Sequence, residues 1–173
     1  MNGNCHFVYG AAVGTAVTMN LDKVAAIIPN VTNTPETATL FILGGILGGI
    51  FPDIDNPSSH MGQLSAPVST VIGAINKKLG KVGSNHRGIL HDPITYTIGL
   101  VLCYFFFTPM IGFFLGCMSH LFLDIFNGKG IPCGPIKRIS LARIDGNSTA
   151  GVVFTWVFVF LDITIGCIIK FVL

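Results

Sequence analysis

Charge is what this sequence has least of. Lysine, arginine, aspartate and glutamate make up only 10% of its 173 residues, against roughly a quarter in an average soluble domain. Hydrophobic residues reach 51% and mean hydropathy is +0.71, which excludes an ordinary water-soluble fold and points to an integral membrane protein. A net charge of +2 is too small for a nucleic-acid partner, and none is expected. The five cysteines have no Cys-x-x-Cys spacing, which excludes a thiolate zinc site or a disulfide framework. No Gly-Lys-Ser or Gly-Lys-Thr follows the glycine-rich stretch at Gly44 to Gly49, so it is not a nucleotide loop. Met1 to Cys5 lacks the basic start of a cleavable signal, and the first apolar segment is expected to stay as an anchor.

What remains is apolar chain punctuated by turns. At about 20 apolar residues per spanning helix, the length fits one bundle of four or five spans, a single membrane-embedded domain over residues 1–173. His6 to Met19, broken at Asn20, Asp22 and Lys23 and resumed from Val24 to Ile28, reads as one tilted or interrupted span. Thr37 to Phe51 is the second, with Gly44, Gly45, Gly48 and Gly49 in overlapping small-xxx-small patterns and Pro52 closing it. In the polar section that follows, Val68, Val71, Ile72, Ile75 and Leu79 recur at helical spacing beside Lys77, Lys78 and Lys81, the pattern of a short amphipathic helix lying at the interface. Pro93 to Phe107 is the third span, with Asp92 as its cap or as a metal ligand. Thr108 and Pro109 make a turn, Met110 to Phe126 the fourth span, Asn127 to Ala150 a loop, and Gly151 to Val172 the last span. The predicted fold is all-α, a polytopic membrane helix bundle.

Most cationic residues fall in two loops, one carrying Lys77, Lys78, Lys81 and Arg87, the other Lys129, Lys137, Arg138 and Arg143. The positive-inside rule places both in the cytoplasm of a multi-pass protein of the plasma (inner) membrane. His6, Asp53, Asp55, His86, His91, His120 and Asp124 then gather at four helix ends on that same face, although the topology was assigned from lysine and arginine alone. His120 and Asp124 are four apart and share a helical face. Asp53 and Asp55 flank Ile54 in a stretch that Pro52 is expected to force into extended backbone, which would point both carboxylates one way. Mixed imidazole and carboxylate donors suit zinc, with manganese or iron as alternatives, in one or more ions. Arg87 is placed to hold a phosphate or carboxylate through its planar fork, and Asp55 is the candidate general base.

Three motifs in this order, Phe51 to Asp55, Asn85 to His91 and Gly116 to Asp124, resemble the YdjM-like family of predicted membrane-bound metal-dependent hydrolases. The resemblance runs from about His6 to Pro135. It implies a distant similarity to zinc-dependent phospholipases C and single-strand nucleases, and metal-binding roles for His6, Asp53, Asp55, His86, His91, His120 and Asp124. Leu90 and Asp92 stand where the family usually has Thr and Ser, and a glutamate that the family often carries near Ala150 is absent.

The expected activity is hydrolysis of a phosphoester, with membrane lipids as partners and a lipid as one candidate substrate, by metal-activated water. Two rivals belong to other classes. One is a metal or proton-coupled transporter, against which the polar residues gather at one face only. The other is a non-catalytic scaffold or regulator whose metal ties helix ends together.

Overall fold

Side-chain caps and prolines set where the helices of this chain begin. The computed structural model describes residues 2–56, 59–78, 88–133 and 137–172. Asn2 accepts the amide of Cys5 at the head of α1 (Gly3–Met19), which breaks at Asn20 before α2 (Leu21–Ile27). Asn30, at φ 61°, turns the chain back in the left-handed region that asparagine tolerates. Thr34 then caps α3 (Pro35–Ile50), with proline at its first position. Two shorter helices follow, α4 (His60–Leu64) and α5 (Ala66–Lys78). Asp92 accepts the amide of Ile94 and caps α6 (Pro93–Phe106), α7 is Ile111–Ile125, and α8 is Thr149–Val172.

The expected interruption of the first helical segment is found at Asn20. Two local expectations are corrected. Phe51–Asp55 is a 3-10 turn, not extended backbone, because proline fits the first turn of a helix as readily as it ends one. Both carboxylates nonetheless reach His91, Asp53 at Nε2 and Asp55 at Nδ1. Part of the presumed loop after α7 is a short antiparallel pair, β1 (Ile131–Cys133) with β2 (Lys137–Ile139), in register Ile131 to Ile139.

Helix α3 lies between α1 and α7, and glycine decides how closely. A Cβ on Gly45 would run into the α1 backbone at Gly10 and Gly14, and one on Gly48 into the α7 backbone at Phe113 and Cys117. Such backbone-to-backbone approach replaces side-chain bulk with dispersion contact, the packing that holds helices together where lipid removes the hydrophobic drive between them. Buried apolar clusters fill the remaining space, Phe41 with Leu21, Val31 and Ile111 toward one end and Tyr96 with Cys117, Leu121 and Ile131 toward the other.

Among the described residues, three segments are long and apolar enough to cross a membrane, Pro35–Asp55, Thr108–Ile125 and Thr149–Val172. Helix α6 is apolar but shorter. Only 11% of the most apolar window of α8 is buried within the protein, so its large side chains, Trp156 and Phe160 among them, face outward where lipid and not water is the fitting solvent. The fold is an all-α membrane bundle. Its antiparallel order brings the start of α1, the end of α3, the approach to α6 and the end of α7 to one end of the molecule.

Candidate metal centre

Four donor atoms form a ring at that end. His91 Nε2 lies 3.8 Å from Asp53 Oδ1 and 3.8 Å from Asp124 Oδ2. His120 Nε2 lies 3.8 Å from the same Asp53 oxygen and 3.9 Å from the same Asp124 oxygen. Imidazole and carboxylate therefore alternate around a common centre. Ligands held at about 2.0–2.2 Å from a tetrahedral zinc stand roughly 3.3–3.6 Å from one another; each edge of this ring is a few tenths of an ångström longer than that, and among the described residues the sets whose donors all lie within 4.8 Å of one another have three members.

Each ring member is set by its own element. The 3-10 turn Phe51–Asp55 presents Asp53, the 3-10 turn Ile89–His91 presents His91, and one face of α7 presents both His120 and Asp124. The carbonyl oxygen of Gly49 accepts from His120 Nδ1 at 2.7 Å. That bond places the ring proton on Nδ1 and turns the lone pair of Nε2 toward the other three donors, the usual means by which a metal-binding histidine is aimed. His120 Nε2 is buried and has no hydrogen-bond partner among the described residues. An orphaned buried acceptor of this kind is costly unless something electropositive meets it, and the residues fit a divalent cation on that ground.

Behind the ring stand two more of the residues singled out in the sequence. Asp55, fully buried, has its Oδ2 3.3 Å from His91 Nδ1, and the same oxygen accepts the amide of Gly88 at 3.3 Å. His6 places Nε2 3.4 Å from Asp124 Oδ1 and stacks on His120 with centroids 3.6 Å apart. The Asp124 carboxylate thus offers one oxygen to the ring and the other to His6. Two overlapping sets of groups can hold a metal, Asp53 with His91 and His120, and His6 with His120 and Asp124.

The structure brings together His6, Asp53, Asp55, His91, His120 and Asp124. His86 and Arg87 lie outside the described residues. Asp92 is a helix cap. Two residues that the sequence did not single out support the centre. One is Gly49, through its carbonyl. The other is Asn76 on α5, fully buried, whose Oδ1 accepts the amide of Ile89 at 2.9 Å and whose side chain fills the space beside Gly88. A lone amide two turns along from buried Ser69 on a helix whose valines and isoleucines point outward was the available signal.

A buried histidine and aspartate cluster able to hold a metal, set at one end of an all-α membrane bundle, defines the class of protein. The sequence profile of the YdjM inner membrane protein family matches residues 1–171. The chain belongs to that family. No curated protein and no solved structure matches it.

Proposed function

We propose that the chain is a membrane-bound metal-dependent hydrolase that cleaves a phosphoester, with membrane lipid as the leading substrate class. The observation that carries this reading is the alternating ring of Asp53, His91, Asp124 and His120, in which Asp53 is the most accessible member. The side chains of His91, His120 and Asp124 are 0–1% exposed, whereas that of Asp53 is 16% exposed, so a substrate oxygen or water reaches the centre past Asp53. That opening adjoins the turn before α4, where Ser59 Oγ donates to the Asp53 carbonyl at 2.6 Å.

A divalent ion held there, zinc with manganese or iron as alternatives, supplies Lewis acidity toward a phosphoryl oxygen and acidifies a water molecule near neutral pH. The chain's own groups divide the remaining tasks. His91 and His120 hold their donor nitrogens in place, His120 through Gly49 and His91 through Asp55. Asp53, the ring carboxylate that solvent reaches, is better placed than buried Asp55 to take a proton from an incoming water. Arg87 is read as the group that pairs with the substrate phosphate.

The distribution of lysine and arginine supports reading this face as cytoplasmic. Lys129, Arg138 and Arg143 lie between α7 and α8, and Lys77 and Lys78 end α5, at the same end as the ring. A lipid phosphate at the headgroup layer would meet the centre without leaving the bilayer.

The test is a panel of phosphodiesters and phospholipids offered to detergent-purified protein of measured metal content, with products followed by mass spectrometry. Turnover is expected to fall at least about 100-fold in His120→Ala and on chelation. Metal-loaded protein that hydrolyses no phosphoester in such a panel would overturn the reading.

A further inference from the structure

A separate space lies elsewhere in the bundle. A groove of about 600 Å³ is lined by α1, α2, α7 and α8, with Val13, Leu115, Met118 and Ile165 among its apolar walls and Asp162 the one carboxylate in its lining. That volume is in the range of pockets that enclose whole ligands. Toward the metal centre it is closed by aromatic packing. Tyr9 rests on Phe122 and Phe158 with centroids 5.9 and 6.3 Å away, and Phe122, Phe126, Phe154 and Phe158 join α7 to α8 with neighbouring centroids about 5 Å apart. Beyond that plug the slot runs along α1 toward the opposite face. Its length from Tyr9 to Asn20 is about 16 Å at about 1.5 Å per helical residue, close to half of the roughly 30 Å hydrocarbon core. A slot of this depth fits one hydrocarbon chain from a single leaflet.

Its far mouth is polar. Asn20, only 6% exposed, lines the slot, and its Nδ2 donates to the carbonyls of Ala16 at 3.1 Å and Gly166 at 3.0 Å. Those two bonds fix the amide orientation and leave Oδ1 buried with no donor among the described residues. Lys23 lines the same mouth and donates to the carbonyl of Ile169. The adjacent Asp22 is paired with Lys170 at 3.0 Å, and Asp162, the carboxylate that also lines the slot, lies against Tyr9 at the plug end, so Lys23 supplies a positive charge at the mouth with no described carboxylate within ion-pair distance. An acceptor lacking a donor beside an unmatched cation calls for a head group with an anionic phosphate and hydroxyl donors.

We infer that the slot between α1, α7 and α8 binds one chain of an anionic, hydroxyl-bearing phospholipid of the phosphatidylglycerol type, with its head group at Asn20 and Lys23 on the face opposite the metal centre. The aromatic plug separates this lipid from the ring of donors. It is therefore a second, non-substrate site, independent of the hydrolase reading.

Native mass spectrometry of full-length protein in mild detergent, titrated with phosphatidylglycerol or phosphatidylcholine, tests it. Wild type is expected to retain one lipid and to prefer phosphatidylglycerol about fivefold, the contribution of a single lysine at a membrane surface. Lys23→Gln should erase the preference and Lys23→Arg should keep it. Ile165→Trp, at a half-exposed wall position, should fill the slot and lower retention of both lipids with metal content unchanged. Failure of wild type to retain lipid, equal affinity for the two head groups, or wild-type retention by Ile165→Trp would each overturn the proposal. None of these readouts depends on phosphoester turnover.

Discussion

The imidazole of His6 lies flat against that of His120, with ring centroids 3.6 Å apart and planes 15° from parallel. One ring comes from α1 and the other from α7, and they meet because both helices lean on α3 at Gly49. The Gly49 carbonyl accepts from His120 Nδ1 at 2.7 Å, and a Cβ on Gly49 would lie 2.6 Å from the His6 carbonyl oxygen. Helix packing and donor geometry are thus the same contact.

Gly49→Ala is accordingly expected to destabilise the protein by about 1–3 kcal/mol, the usual range for overpacking a tight contact, and to lower its metal content. Gly128→Ala, where an added Cβ would meet nothing closer than Arg143 Cγ at 3.5 Å, should change stability by less than about 0.5 kcal/mol. Thermal melting in detergent with parallel elemental analysis checks both. Equal effects of the two variants would contradict the packing argument.

Removing a ring member should remove the metal. Elemental analysis of wild type is expected to give about one equivalent or more, and His120→Ala much less. Asp55→Asn keeps the shape behind His91 but weakens its hold on the imidazole, and metal affinity should drop by about 10–100-fold with the fold retained. A metal that served only to tie helix ends together would instead make Asp55→Ala an unfolding mutation.

Asn76 anchors the segment leading to His91 from outside the ring. Asn76→Ala leaves the amide of Ile89 without its acceptor, at a cost of about 1–2 kcal/mol. Hydrogen exchange at Ile89 should speed up by about tenfold, since roughly 1.4 kcal/mol corresponds to that factor. Unchanged protection at Ile89 would show that Asn76 does not hold the segment.

The donors sit at one end of the bundle, while the other end of α3 packs Phe41 against Leu21, Val31 and Ile111. A transport path needs polar stations through the bilayer; the ring supplies them at one side, Asn20 and Lys23 lie at the other, and the aromatic packing of Tyr9, Phe122 and Phe158 stands between. Proteoliposomes loaded with a fluorescent zinc indicator should show no metal uptake. Uptake that disappears in His120→Ala would displace the hydrolase reading.

Much of the site could be read from order and spacing. His120 and Asp124 share a face because four residues make about one helical turn, and Asp92 with Pro93 announces the start of α6. The glycines of α3 were legible as packing residues, though not that Gly49 also orients a ligand, because a backbone carbonyl leaves no signature in the side-chain alphabet. Asp53 and Asp55 were legible as a pair, but not as members of a 3-10 turn, since proline permits either a 3-10 turn or extended backbone and only the packing of α3, α4 and α5 around Phe51–Asp55 selects the first. The slot at Asn20 and Lys23 was not legible at all. Its walls come from residues near both ends of the chain, and apolar positions lining a cavity look the same in sequence as apolar positions filling a core.

Composition and periodicity by themselves determined that this chain enters a membrane as helices and that its imidazoles and carboxylates cluster at helix ends, because both properties follow from local residue pattern and the bilayer's length scale. Only the tertiary structure decided which donor atoms face a common centre and which stand behind them. Those distances depend on how closely α1 and α7 approach α3, and that approach is fixed by contacts between glycines far apart in the chain.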